Sequence, residues 1–295
     1  MIESVNEVNI EGIVSEVDLR EIDKGDKKYV AGEVRVQVID KDGKTNIIPV
    51  SFISADKKKD GSENLNYNRL MQLKDFNSIA SAGLEKATKV QIRGAKLQEN
   101  LFLPQNSNEV VSTIRLSSNF FTKVTDANYQ PTNTFSATAY ILSMNPETRV
   151  NSDGDAEETG RLVIQAAMVG YADKVELYKF IVETETYINF VKANWKCGDT
   201  VSIGGVIRFT EEIIERKVEV GFGEEDVKRY TRRAKELIVT RGSAGRLDDE
   251  KCYSEEDIRK GLTARKERMA EIKRKAEEVK TTASQGAVTF TDADF

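Results

Sequence analysis

The sequence predicts a mainly β chain: two tandem five-stranded barrels, then an amphipathic helix and a flexible acidic tail. Three observations carry this reading. From about Thr159 the chain reads strand, strand, helix, strand, as ETGRLVIQAAMV, KVELYKFIVE, YINFVKANW and, after a Gly-Asp turn, TVSIGGVIRF. The same succession of elements occurs in the first 127 residues. After Gly245 the apolar spacing changes from two to the three-to-four of a helix. The divisions expected are residues 1–127 and 135–248 for the barrels, 128–134 for a linker, 249–281 for the helix and 282–295 for the tail.

Taken in order, VNIEGIVSEVDLRE (Val8 to Glu21) alternates apolar and polar residues as a half-buried strand does. AGEVRVQVIDKDGK and TNIIPVSFIS follow as a hairpin joined at Asp42-Gly43, residues that tolerate positive φ. Tyr67 to Ala82 is predicted as one helix with Leu70, Leu73, Phe76, Asn77 and Ala80 on a single side. ATKVQIRGAKLQENLFLP and EVVSTIRLSSNFFTKV supply the last strands of this half. In the second half FSATAYILSMNPETR, TGRLVIQA, KVELYKFIV, the helix opening at Tyr187, TVSIGGVIRFTEE and AKELIVTRGS repeat that order. Gly204-Gly205, inside the alternation of Val201, Ile203, Val206, Ile207 and Phe209, predicts a strand bent sharply enough to turn a barrel corner. Strand, strand, strand, helix, strand, strand is the order of an oligonucleotide-binding (OB) fold, a partly open Greek-key barrel. Ser254 with Asp257 three positions on is a capping box, and Ile258, Leu262, Met269, Ile272, Ala276 and Val279 make the apolar stripe of the helix it starts. That helix packs on the barrels or on a copy of itself, the latter making a homo-oligomer. TTASQGAVTFTDADF has too few core-forming residues to fold and is expected to be disordered.

Composition excludes much. With 0 His among 295 residues, Ser-His-Asp and Cys-His triads and two-His metal sites are absent. Cys197 and Cys252, far apart and without histidine, supply neither a disulfide framework nor a zinc site. Lys58-Lys59-Asp60-Gly61 fits the Lys-x-Asp-Gly of DNA ligases, but the surrounding chain is too short and too β-patterned for a nucleotidyl-transfer domain. There is no P-loop glycine pattern. A non-catalytic protein without metal or cofactor is expected. No apolar run reaches the roughly 20 residues of a membrane span, and MIESVNEVNIEG has no secretory signal, so a protein that acts inside a cell, in the cytoplasm, is expected. The net charge of −5 argues against coating nucleic acid through overall positive charge, yet permits a local basic groove.

Such a groove is what the strands suggest. Single strands are held by aromatic faces that stack on bases and cations that follow the phosphates. The candidates are Lys57 and Lys58 in the loop before the first helix; Arg93, Lys96 and Phe102; Arg115 before Phe120 and Phe121; Arg161, Tyr178, Lys179 and Phe180; Arg208 and Phe209; and Arg229, Tyr230 and Arg232. Alternation places Tyr178 and Phe180 on one face and Lys179 on the other, so only one set meets a ligand.

Tandem barrels with a flexible tail ending in acidic residues and phenylalanine resemble the single-stranded DNA-binding proteins of bacteria and their phages. The resemblance covers most of residues 8–245 at the level of pattern, plus the tip. It implies a protein of DNA replication, recombination and repair, in the cytoplasm of a bacterial host cell, that binds and protects single-stranded DNA. It also implies that the tip, here Asp292, Asp294 and Phe295, docks on partner enzymes. Two departures stand out: the bacterial tip carries more aspartates and a proline before the phenylalanine, where this chain has Asp294. The competing reading of the same pattern is a phage virion or scaffold component.

Overall fold

The computed structural model describes the chain except residues 41–42, 105–106, 151–154, 219–225 and 286–295, and in addition gives no account of the side chains of residues 150, 212–233 and 279–285. The strands are β1 (Asn6–Lys24), β2 (Lys27–Ile39), β3 (Thr45–Ala55), β4 (Lys89–Phe102), β5 (Val111–Ser117), β6 (Thr122–Lys123), β7 (Thr132–Val150), β8 (Ala156–Val169), β9 (Val175–Val182), β10 (Thr200–Val218) and β11 (Asp226–Gly242). The helices are α1 (Leu65–Met71), α2 (Ile79–Ala82), α3 (Glu185–Asn194) and α4 (Glu255–Gln285). The chain is mainly β with a C-terminal helix.

The pairings run back on themselves twice. β1 pairs with β2, β2 with β3, β3 with β5, β5 with β4, and β4 with β1 again, all antiparallel except β3–β5. The second half repeats this ring as β7, β8, β9, β11, β10 and β7, with β9–β11 the parallel pair. Each ring encloses the alternate apolar residues of its strands, among them Val34, Ile48, Ile92 and Leu116 in the first and Ile164, Phe180, Ile207 and Leu237 in the second, all fully buried. The expected bend in β10 is present: the register against β11 shifts between Gly204 and Gly205. A Cβ at Gly205 would collide with the Ile238 carbonyl, so only glycine lets the strands approach there.

Strand pairing and side-chain bonds join the rings to each other. On one edge Val8 to Ile13 of β1 pair with β4, and on the other Asn6 to Glu11 pair with residues 132–137 of β7, so Val8 to Glu11 are paired on both sides. The Phe209 N–H of β10 donates to Asn46 Oδ1 of β3, 3.2 Å away and buried.

The predicted helix over Tyr67 to Ala82 is instead two short helices and a 3-10 turn over Gln72–Asp75. Phe76 adopts an extended conformation, and Ser78 starts α2 through a reciprocal capping box with Ser81. Asn77 bonds across to Lys86 and Thr88, just before β4, and Ser78 caps the next turn through the Ser81 N–H, so neither extends the preceding helix. At the other end Ser254 caps α4 as expected, its Oγ accepting from the Asp257 N–H at 3.1 Å. Tyr253, Ile258 and Leu262 pack on Val169, Val175 and Leu177, the outward side of β8–β9. Gly261 lets the helix seat there, since a Cβ would strike the Val175 side chain.

α4 then reaches the first ring. Arg265 Nε donates to both carboxylate oxygens of Glu99 on β4, at 3.0 and 2.9 Å. Glu99 is 1% exposed and also accepts from Ser112 Oγ at 2.7 Å. Its own N–H donates to Glu176 Oε2 of β9, which also accepts from the Tyr178 hydroxyl at 2.6 Å. A buried polar chain therefore joins β4, β9 and α4.

Candidate functional site

The outward side of β3, β4 and β5 brings exposed apolar and cationic groups together. Pairing places Lys96 opposite Ser117, Gln98 opposite Arg115, Asn100 opposite Thr113 and Phe102 opposite Val111. Alternation puts all eight on one face of this ladder, while Leu97, Glu99 and Leu116 turn inward and are buried. Lys96 Nζ donates to the Asn6 carbonyl at 2.8 Å, and Arg115 Nε to Ser51 Oγ at 2.9 Å. Neither has a carboxylate partner among the described residues, so both retain charge for an anion.

After β5 the chain holds an aromatic ring beside them. The Ser118 N–H donates to the Ser51 carbonyl at 3.0 Å, Asn119 Oδ1 accepts from the Ile53 N–H at 3.3 Å, and Ser118 Oγ accepts from the Phe120 N–H at 3.1 Å. These bonds continue the line of β5 along β3 and fix the backbone of Phe120. Phe121 then turns in, edge-on to Phe52 with centroids 5.9 Å apart, and Phe120 turns out. Phe120 is 55% exposed and Ile53 60% exposed. With Lys96 and Arg115 they line a groove of about 430 Å³. On its other side Phe120 borders a second depression, shared with Arg69, Phe76 and Lys123, in which Lys123 Nζ lies 4.8 Å from the centre of the Phe76 ring. A pre-positioned exposed ring between two hollows of mixed polar and apolar lining, with cations alongside, suits a flat π system carrying anionic groups.

The predicted residues divide among several places. Lys96 lies in the groove just described. Phe102, exposed at the far end of the ladder, shares a larger groove of about 920 Å³ between the rings with Lys179. Lys57 and Lys58 are exposed in the loop after β3, and Arg93 is exposed on β4 away from both grooves. Tyr178, Phe180 and Phe209 are core residues, at most 3% exposed. They do not meet a ligand as their residue types suggest: their faces pack on other side chains, Phe180 stacking on Phe135 at 5.7 Å, and offer no base a surface. Burial pushes the Tyr178 hydroxyl above its ordinary pKa, and the neighbouring Glu176 adds to this. Arg229, Tyr230 and Arg232 belong to β11 by pairing, but their side chains lie outside the described residues, as do Asp292, Asp294 and Phe295 entirely.

Arg161 and Arg208 are not the free phosphate-binding cations expected of them, because both are ion-paired. Arg161 bridges Glu147 at 2.7 Å, Glu183 at 2.8 Å and Glu236 at 2.8 Å, and Arg208 bridges Glu183 at 2.6 Å. A phosphate there would have to displace carboxylates already in place. Arg35 is likewise paired, with Glu16 and Glu33. Residues that the sequence reading did not single out are Ile53 and Val111, which look like ordinary core positions in an alternating strand. No cluster of His, Cys, Asp or Glu among the described residues is placed to hold a metal ion, and none of their helices is long and apolar enough to cross a membrane.

The hydrogen bond from Arg161 holds the Glu147 carboxyl at about 2, below its ordinary 4.5. A depressed carboxylate stabilises the fold above its unfolded pKa, and the contribution is lost as the pH falls from about 4.5 through about 2. The urea midpoint of the wild type should therefore exceed that of Glu147→Gln at pH 7, with the gap narrowing steadily below pH 4.5. A gap independent of pH would show that Glu147 does not carry this charge coupling.

A family model described as YorF matches residues 4–275. No curated protein matches the chain. Among solved structures it is similar to the wild-type single-stranded DNA binding protein from Thermus aquaticus, at 12% identity and a TM-score of 0.48, over 84% of this chain and 95% of that one. A deletion mutant of the same Thermus aquaticus protein is similar at 12% identity and a TM-score of 0.47, over 87% of this chain and 100% of that one.

Proposed function

The chain belongs to the YorF family, a description that carries no activity, and from the geometry of the Phe120 face we propose that it binds single-stranded DNA. The observation that carries the reading is the exposed Phe120, with its backbone fixed, beside Lys96 and Arg115, which face no carboxylate. An unpaired base presents a free π face to such a ring, whereas a duplex keeps its bases stacked on one another. The two rings of pairings are read as two OB-type barrels, residues 1–127 and 135–248. Barrels of this kind take oligonucleotides on their second and third strands and the adjoining loops, and of these β3 borders the Phe120 face through Ser51 and Ile53. Lys57 and Lys58 stand in one such loop and Arg93 on β4, free to meet phosphates of a longer strand.

In this reading the protein is not an enzyme. It covers single strands during DNA replication, recombination and repair in the bacterial cytoplasm, keeping them open and protected. Asp292, Asp294 and Phe295 would recruit enzymes of those processes.

The test is anisotropy of a labelled oligo-dT of about 20 nucleotides, within the roughly 4–16 nucleotides per barrel expected for two barrels, at two salt concentrations and against a duplex of equal length. A labelled strand is needed because Trp195 is buried, its Nε1 donating to the Ser243 carbonyl at 3.0 Å, and would report poorly. Binding to the single strand that weakens steeply with salt, with little binding to the duplex, supports the reading. No binding at low salt overturns it and leaves the scaffold reading ahead.

A further inference from the structure

We propose that the hollow at the end of β11, walled by Tyr187, Phe190 and Arg241, is a second binding site for single-stranded DNA, which takes one base against the rings and its phosphate on the guanidinium. The site deepens the single-stranded DNA reading and rests on it.

In α3 the residues that turn inward are Ile188 and Val191, with Trp195 following the last turn, all buried. Tyr187 and Phe190 stand three apart beside that stripe and share a face of the helix. Each is 44% exposed, so the fold leaves two large rings side by side in water. The turn that carries Phe190 is fixed, as Asn194 Nδ2 donates to the Phe190 carbonyl at 2.8 Å. Behind the rings Trp195 closes the hollow. Its Nε1 is held by the Ser243 carbonyl, and a Cβ at Gly242 would strike its indole, so only glycine lets β11 press against it. The hollow measures about 300 Å³, the small end of the range for ligand pockets, and suits a single base.

Arg241 stands at the rim already aimed. Pairing sets it opposite Gly204 of β10, and its side chain crosses the bare Cα of that glycine, where a Cβ would strike it. Nη2 donates to Ser136 Oγ of β7 at 2.9 Å, and Arg241 is exposed with no carboxylate partner among the described residues. Arg115 of β5 is held in the same way, one nitrogen on the Ser51 hydroxyl. The correspondence extends to the whole place. β11 closes the second ring as β5 closes the first, and α3 links β9 to β10 as α1 and α2 link β3 to β4. The hollow that Phe120 shares with Phe76 lies between this helical link and the chain after β5, just as the second hollow lies between α3 and the end of β11. Exposed rings and an unmatched cation thus recur at corresponding places, though the rings come from different elements. A base joined to its phosphate uses the rings and the charge together, whereas an apolar protein contact would bury the charge unpaired.

The experiment uses the full-length chain as wild type, as Tyr187→Ala with Phe190→Ala, as Arg241→Gln and as Phe120→Ala. Labelled oligo-dT of about 20 nucleotides is titrated at several salt concentrations, with urea midpoints and solution masses measured alongside. The wild type and Phe120→Ala are also photo-cross-linked to a strand carrying iododeoxyuridine. Expected are a loss of about 5-fold or more for the double ring variant, a salt slope lower by about 0.7 for Arg241→Gln, and cross-links within residues 185–194 that persist in Phe120→Ala. Arg241→Gln and the cross-links decide the matter if removing both rings lowers the urea midpoint. Affinity and salt slope unchanged in both variants would overturn the site, as would cross-links confined to the first ring. A loss that comes with a changed solution mass would overturn it too, since the hollow would then be a contact between copies. In each of those cases the wild type still binds, and the single-stranded DNA reading survives. Absence of wild-type binding would instead remove that reading.

Discussion

Phe120→Ala should lower the affinity for oligo-dT by about 5- to 150-fold, the equivalent of the roughly 1–3 kcal/mol that one stacked base contributes. The ring is more than half exposed and supports no core contact, while Phe121 beside it does the packing. The loss should therefore come with an unchanged urea midpoint. Lys96→Gln combined with Arg115→Gln should act differently: each phosphate contact removed lowers the slope of log affinity against log salt by about 0.7, so the pair lowers it by about 1.4. Equilibrium titration at four or five salt concentrations separates the two effects. If Phe120→Ala binds as the wild type does, the stacking face lies elsewhere, and the fixed backbone at Ser118 to Phe120 serves only to close the first ring.

The second large effect is on stability. Arg265→Ala should destabilise the protein by about 3–5 kcal/mol in urea unfolding, because it strands the Glu99 carboxylate at 1% exposure. Ser112 still donates to one oxygen, which places the expectation toward the lower end of that range. The sharper measurement replaces both partners, Glu99→Leu with Arg265→Met. If the penalty comes from an uncompensated charge, the double variant should be more stable than Arg265→Ala alone. If instead the helix depends on the ion pair itself, the double variant should be at least as unstable as the single one.

Much of the fold could be read from residue patterns, and the reasons are local. Gly204-Gly205 signalled its bend because nothing larger than hydrogen fits against the Ile238 carbonyl. Ser254 signalled the start of α4 because a short hydroxyl side chain reaches the free N–H of Asp257. The helix over Tyr67 to Ala82 was misread where apolar spacing was allowed to outweigh Asn77 and Ser78, whose side chains compete for the backbone. The site was less legible. Alternation told that Tyr178 and Phe180 share a face and Lys179 has the other, but it is symmetric under exchange of inside and outside. Only ring closure decides that the aromatics go in. Arg161 looked like a free cation because Glu147, Glu183 and Glu236 are scattered over nearly a hundred positions, and nothing in their spacing shows that they converge. Phe120 and Phe121 are neighbours with opposite fates, set by the bonds that Ser118 and Asn119 make to β3.

The double pairing of Val8 to Glu11 also bears on how the chain is made. Once residues 89–95 have left the ribosome, β4 can occupy one edge of this segment. The other edge has its partner in residues 132–137 and stands bare until they emerge. At roughly 5–20 residues per second the interval lasts a few seconds. During it an unpaired strand edge is open to any other, including the same segment of a neighbouring nascent copy. Synthesis of the second half thus acts as a chaperone for the first, covering from within the chain the edge most prone to pair wrongly.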